Sequence, residues 1–153
     1  MKIEFRKAII PNEIEALYEF DHMAFESFPA NLFEAEDWAQ YESYWMIADG
    51  RTVGCSAFLH DVDYDEQTRP KCLWIVSTGI PPELQGQGLG SKLKEWQIEY
   101  ARLRGFEFIV TNMRQSNSRI IRLNERFGFT PRELVPGYYD DPDEAALVME
   151  LKL

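Results

Sequence analysis

Cysteine and histidine are scarce in this chain: there are two of each, Cys55, Cys72, His22 and His60. None stands at metal-ligand spacing from another, which argues against a zinc or iron-sulfur centre, and no metal is expected. Both cysteines sit in apolar runs and read as buried free thiols of a reducing compartment. Long apolar stretches are missing as well: nothing approaches the roughly 18 to 20 residues of a bilayer span. Residues 1–7 lack the apolar block of a secretory signal. The protein is therefore expected in the cytoplasm, away from membranes. Basic residues are outnumbered, 16 Lys and Arg against 26 Asp and Glu, for a net charge of −10. A phosphate-tracking surface needs clustered cations, so nucleic acid is not an expected partner. A cationic small molecule or a basic peptide suits this field better, although an acidic surface also serves solubility alone. No serine lies in a nucleophile-elbow context, which leaves a hydrolase without support.

What is present fits one globular domain over residues 1–153, with 45% apolar and 14% aromatic residues. Residues 3–7 alternate like a half-buried strand, and Asn12 with Glu15 resembles a helix-start box. Ile14, Leu17, Tyr18, Phe25 and Phe28 follow at near-helical spacing, predicting an amphipathic helix that ends before Pro29, then a short one at 34–41. Residues 44–48, the turn pair Asp49-Gly50 and residues 52–60 read as an antiparallel pair. The acidic run 61–66 reads as a solvated loop. Residues 71–80 form the most apolar strand candidate, stopped by Pro81-Pro82, and are expected at the sheet centre. Leu89, Leu93, Trp96, Tyr100 and Leu103 define the clearest helix, with Lys92, Lys94, Glu95, Glu99 and Arg102 on its polar side and Gly105 at its C-cap. A strand at 106–110, a helix at 118–127 closed by Gly128, and strands near 129–132 and at 145–151 complete the order β-α-α-β-β-β, glycine loop, α-β-α-β-β. No internal repeat or low-complexity tract appears.

The loop Gln85-Gly86-Gln87-Gly88-Leu89-Gly90 lies between the apolar strand and that helix. Glycines permit a tight turn and close ligand approach, and a helix start leaves N–H groups unpaired, so phosphate is the natural guest. Spacing decides which phosphate ligand. A Walker loop needs a second glycine where Ser91 stands, five residues after Gly86. The dinucleotide fingerprint needs G-x-G-x-x-G, whereas the spacing here is G-x-G-x-G, and the next strand ends at Asn112 without an acidic residue.

The pattern present is Q/R-x-x-G-x-G/A, with Gln85, Gly88 and Gly90 in the fixed places. It resembles the pyrophosphate signature of the GNAT superfamily of acyl-CoA-dependent N-acetyltransferases. The run from Ile80 to Gly90, the segment from Asn117 through Glu125-Arg126 to Phe129, and the closing stretch from Gly137 to Leu151 are similar to that family in sequence order. The resemblance is sharp from Leu73 onward and one of order alone before that.

The resemblance implies an α/β (α+β) fold: a mixed, mostly antiparallel sheet of about seven strands, splayed at a cofactor cleft and flanked by about four helices. It implies acetyl-CoA as co-substrate, held by the Ile80 backbone, by Gln85, Gly86, Gln87, Gly88, Leu89, Gly90 and Ser91, and by Asn117. Asn117 also reads as an ordinary N-cap, and Gly79 as either the bulge that opens the cleft or a plain strand-end glycine. The sequence departs from the family twice: Asn124 replaces a thiolate-protonating tyrosine, and no carboxylate lies between Leu73 and Ile80. The matching hairpin of similar enzymes carries a tyrosine, so the resemblance makes Tyr139, and next Tyr138, the candidates for proton transfer, with Glu26 a remote one; the tyrosine pair also reads as packing at a sheet end. The implied activity is acetyl transfer to a primary amine, a small cationic amine or a protein amino group, by direct attack in a ternary complex. The alternative is an acyl-CoA-binding module without chemistry. Exposed edge strands of such a sheet leave room for a homodimer.

Overall fold

The computed structural model describes residues 1–29 and 32–153. The chain forms β1 (Ile3–Lys7), α1 (Ile14–Ala24), α2 (Ala35–Trp38), β2 (Glu42–Ala48), β3 (Arg51–Val62), β4 (Thr68–Gly79), α3 (Leu89–Leu103), β5 (Phe108–Arg114), α4 (Ser118–Arg126), β6 (Thr130–Tyr139) and β7 (Glu144–Lys152). This is the order expected from the sequence. The strands join in one seven-stranded sheet, β1-β2-β3-β4-β5-β7-β6. The β4–β5 pair is parallel and the other pairs are antiparallel, so the mixed α/β (α+β) architecture holds.

Local chemistry explains most boundaries. Asp49 and Gly50 carry φ of 49° and 82°, the left-handed pair that a two-residue hairpin between β2 and β3 requires. The entry to α1 is set by Glu13: it takes both arms of the Arg6 guanidinium at 2.9 and 3.0 Å and the Ile9 N–H at 2.8 Å. The expected Asn12–Glu15 box does not form, and no side chain caps α1. Gly105 and Gly128, at φ of 77° and 92°, turn the chain after α3 and α4.

Helices cover both sheet faces. On one, α3 and α4 bury Phe58, Leu73, Ile75, Ile98, Ile109 and Met149. On the other, α1 and α2 bury Leu17, Phe20, Trp38, Trp45, Cys55 and Ala57. Each large side chain buried in this way contributes about 1.5–3 kcal/mol.

Two expectations need correcting, and a third, left open, is decided. Lys94 is not on a solvated face of α3: it is buried, with Nζ 5.1 Å from the Phe129 ring centroid. Asp63 is not a solvated loop residue either. Its carboxylate pairs with Arg69 at 3.0 Å and Arg132 at 2.9 Å, and both arginines also hold Glu150, which ties β4, β6 and β7 together. The third concerns the bulge. Ala57 pairs with Ser77 and Phe58 with Ile75, so the extra residue in β4 is Val76, while Gly79 pairs regularly with Cys55. The extra residue reverses which way later side chains point: Thr78 bonds Gln97 of α3 at 2.9 Å, and the missing Cβ of Gly79 points at Ala24 of α1 and at Phe25 just past it. A Cβ at Gly79 would lie 3.4 Å from the Ala24 Cβ, in van der Waals contact, so α1 packs close against the backbone of β4 there.

Candidate active site

The pairing of β4 with β5 runs from Cys72–Phe108 to Ile75–Thr111 and stops. Beyond that point β4 continues to Gly79 alongside β3, and β5 continues to Arg114 alongside β7. Each strand follows its outer neighbour, so the two part and open a cleft in the middle of the sheet. The Val76 bulge lies at this fork and bends β4 away. Unpaired backbone groups on facing strand ends are a template for an extended, amide-bearing chain.

One end of the cleft leads into the glycine-rich turn. Ile80 leaves β4, a 3-10 turn at Pro82–Leu84 follows, and Gly86 and Gly88 adopt φ of 80° and 81° before α3 begins. At both glycines a Cβ would meet nothing within 4 Å, so it is backbone conformation that demands glycine there. No side chain caps α3 at Gly88, and its first N–H groups stay directed outward with the positive end of the helix dipole. Gln85 is fixed at this turn: its Nε2 donates to the Ile80 carbonyl at 3.0 Å, and its Oε1 accepts from Arg119 at 2.6 Å. Arg126 donates to Ser91 Oγ at 3.1 Å. Two guanidinium groups of α4 thus border the turn, in a chain that is acidic as a whole. Arg126 belongs to the family-like segment, but motif spacing gives no sign that it or Arg119 borders this turn, because both arrive from another helix. Asn117 caps α4 through its side-chain oxygen, which accepts from the Ile120 N–H at 3.4 Å. This uses Oδ1 and leaves the amide NH₂ available. Asn124 is fully buried, with its NH₂ on the Met149 sulfur at 3.8 Å.

Tyrosines occupy the other flank. The indole of Trp74 donates to Asn112 Oδ1 at 3.0 Å, and Asn112 Nδ2 donates to Tyr139 Oη at 3.1 Å, bridging β4, β5 and β6 at the fork. An indole N–H can only donate, so it fixes the amide orientation of Asn112, and the phenol proton of Tyr139 remains free for another acceptor. Burial pushes the Tyr139 phenol up to about 12, so at neutral pH it keeps that proton and acts as a donor. Tyr138 stacks edge-on against it, ring centroids 4.9 Å apart. The hairpin bearing both is held by Arg114, a buried guanidinium that binds Glu144 at 3.1 Å, the Pro142 carbonyl at 3.0 Å and the Asp140 carbonyl at 2.9 Å. Arg114 also lies between the rings of Phe28 and Tyr139, at 4.5 and 4.9 Å. Phe25 and Phe28 therefore cover the cleft and do not extend α1, which ends at Ala24.

Asp21, which the periodicity of α1 hides among polar positions, is buried beneath this cover. Burial pushes its carboxyl up to about 6, opposed by the Phe33 backbone N–H, His22 and the Ser77 hydroxyl. Glu26 stands exposed just past α1. His22 places Nδ1 2.9 Å from the Tyr18 carbonyl, and His60 bonds Tyr100 at 2.8 Å at the far end of α3. Neither histidine joins the cleft, and no group of three metal-ligating side chains occurs among the described residues.

The profile of the acetyltransferase (GNAT) family matches residues 12–129. An uncharacterized N-acetyltransferase of Methanocaldococcus jannaschii is 29% identical over 144 residues, covering 92% of this chain and 86% of its own. The spermine/spermidine N(1)-acetyltransferase of Bacillus subtilis is 29% identical over 127 residues, covering 82% and 81%. Among solved structures, a Bacillus subtilis acetyltransferase in complex with CoA superposes with a TM-score of 0.78 at 21% identity, covering 99% of each chain. A sheet forked beside a glycine-rich helix start and a family profile matching most of the chain lead to one conclusion: the protein belongs to the GNAT family and is an acyl-CoA-dependent N-acetyltransferase.

Proposed function

We propose that the protein transfers the acetyl group of acetyl-CoA to a primary amine by direct attack within a ternary complex, and that residues 1–153 act as one catalytic domain. The observation that carries this reading is the parting of β4 from β5 past Ile75 and Thr111, next to the uncapped start of α3. The pyrophosphate is held by backbone N–H groups from Gln85 to Ser91 with Arg119 and Arg126 nearby, the pantetheine arm by the Ile80 backbone, and Asn117 adds its free NH₂. Tyr139, supported by Tyr138, hydrogen-bonds through its hydroxyl to the sulfur or carbonyl oxygen as charge develops there and keeps its own proton. A thiol of pKa near 8.5 leaves readily, so hydrogen bonding is sufficient help.

A small cationic amine is the favoured acceptor, ahead of a protein amino group. Support comes from the acidic field on the tyrosine flank: Asp140, Asp141 and Asp143 are exposed on the β6–β7 hairpin, and Asp37 and Glu66 help burial to push the Tyr41 phenol up to about 12. The buried thiols of Cys55 and Cys72 suit the cytoplasm, and edge strands β1 and β6 leave room for a homodimer. Thiol release from acetyl-CoA, followed with spermidine, spermine and a peptide bearing a free α-amino group, tests the proposal. Faster release with the polyamines is expected. Release no faster than hydrolysis with every amine would sink it.

A further inference from the structure

Two carboxylates are buried among the described residues, Asp21 and Asp63. Asp63 is neutralised by two arginines. Asp21 forms no ion pair among the described residues, and its Oδ2 has no hydrogen-bond partner. Burying a carboxylate without a cation is costly, and an asparagine would fill the same space without that cost. The fold keeps the acid all the same, and keeps it at the fork. The Val76 bulge turns Ser77 and Gly79 toward α1, Ala24 and Phe25 pack over Gly79 at the freed end of β4, and Asp21 of α1 sits against Ser77 of β4. β4 itself carries no carboxylate between Leu73 and Ile80.

We propose that Asp21 is the general base of the reaction, reaching the cleft from α1 and taking the proton that the acceptor nitrogen gives up. This rests on the transferase reading above. The nitrogen lone pair forms the C–N bond, the C–S bond breaks with its electron pair going to sulfur, and the nitrogen proton passes to the Asp21 carboxylate. From there it goes to the CoA thiolate, which leaves as the thiol and returns Asp21 to its anion. The surroundings suit this cycle. Cys55 of β3 and Tyr41 face Asp21, and both are pushed upward by burial and by its charge, so each stays neutral. His22, on the same helix, is engaged with Tyr18. A carboxyl raised to about 6 is mostly ionised at pH 7 and is a stronger base than an ordinary aspartate.

The test is the pH profile of kcat/KM with a turned-over amine, for the natural protein, Asp21→Asn and His22→Gln, with acetyl-CoA affinity measured by calorimetry alongside. The natural protein should show an acid limb near pH 6. Asp21→Asn should keep its acetyl-CoA affinity within about twofold, melt no lower than the natural protein, and lose roughly 10²- to 10⁴-fold in kcat together with the limb. His22→Gln should keep the limb. A natural protein without that limb, an Asp21→Asn variant that turns over within fivefold of normal, or loss of the limb in His22→Gln overturns the assignment while the transferase reading stands. A natural protein that binds acetyl-CoA but acetylates no amine removes both.

Discussion

Replacing Lys94 by methionine should stabilise the protein, most of all at neutral pH. The ammonium of Lys94 is buried on α3, forms no ion pair among the described residues and faces the Phe129 ring, and desolvation pushes it from 10.5 down to about 7. Between those values the unfolded chain binds a proton that the folded chain does not, so stability rises with pH through this window and is lowest at and below pH 7. A depression of that size corresponds to about 5 kcal/mol across the window, and about 4 of it is felt at pH 7. Methionine keeps the unbranched length and the packing without the charge. Lys94→Met is therefore expected to gain about 4 kcal/mol at pH 7, raising the melting temperature by roughly 10 °C in a domain of this size. At pH 10 the gain should shrink to about 1 kcal/mol. Urea unfolding of both proteins at the two pH values measures this. Equal pH slopes for the two would refute the reasoning, since they would mean that Lys94 reaches water or a counter-charge in the folded state.

Other outcomes follow from the cleft. Gly88 has φ of 81° and open space where a Cβ would go, so Gly88→Ala adds only backbone strain of about 1–2 kcal/mol. Acetyl-CoA affinity measured by calorimetry should fall about tenfold, and an unchanged affinity would detach this turn from phosphate binding. Tyr139→Phe should lower kcat roughly tenfold or more with acetyl-CoA affinity unchanged, whereas full turnover on a true acceptor would remove Tyr139 from the chemistry. Asn117→Ser preserves a cap for α4 and should leave the melting temperature alone while weakening acetyl-CoA severalfold. Equal affinity would assign Asn117 to the cap only.

Local signals carried much of this structure. Gly86, Gly88, Gly105 and Gly128 mark left-handed turns, which are set locally, and the apolar stripe of α3 is a property of a single helix. Features that depend on distant partners were not legible. The bulge at Val76 exists only in the register of β4 against β3, so the sequence alone leaves Gly79 open between a bulge and a plain strand end. Phe25 and Phe28 keep helical spacing yet lie past the end of α1, Phe25 beside Gly79 and Phe28 against the Arg114 guanidinium, contacts with distant elements that helical spacing does not reveal. β6 reaches Tyr139 through Pro131, Pro136 and Gly137, residues that argue against a strand but are tolerated at the sheet edge where β6 lies. At the site, the glycine turn is a local pattern, whereas the tyrosine pair stands out only through the resemblance of its hairpin to the family. Asp21, Arg119 and Arg126 could not be read as site residues, since each gains its meaning from an element far away in the chain.

The most direct test of the account is calorimetric titration of the purified protein with acetyl-CoA, CoA, ATP and NAD. The forked sheet and the uncapped start of α3 predict micromolar binding of acetyl-CoA and CoA, worth about 8 kcal/mol, with no binding of ATP or NAD. A folded protein that binds no CoA species, or that prefers a nucleotide, would contradict it.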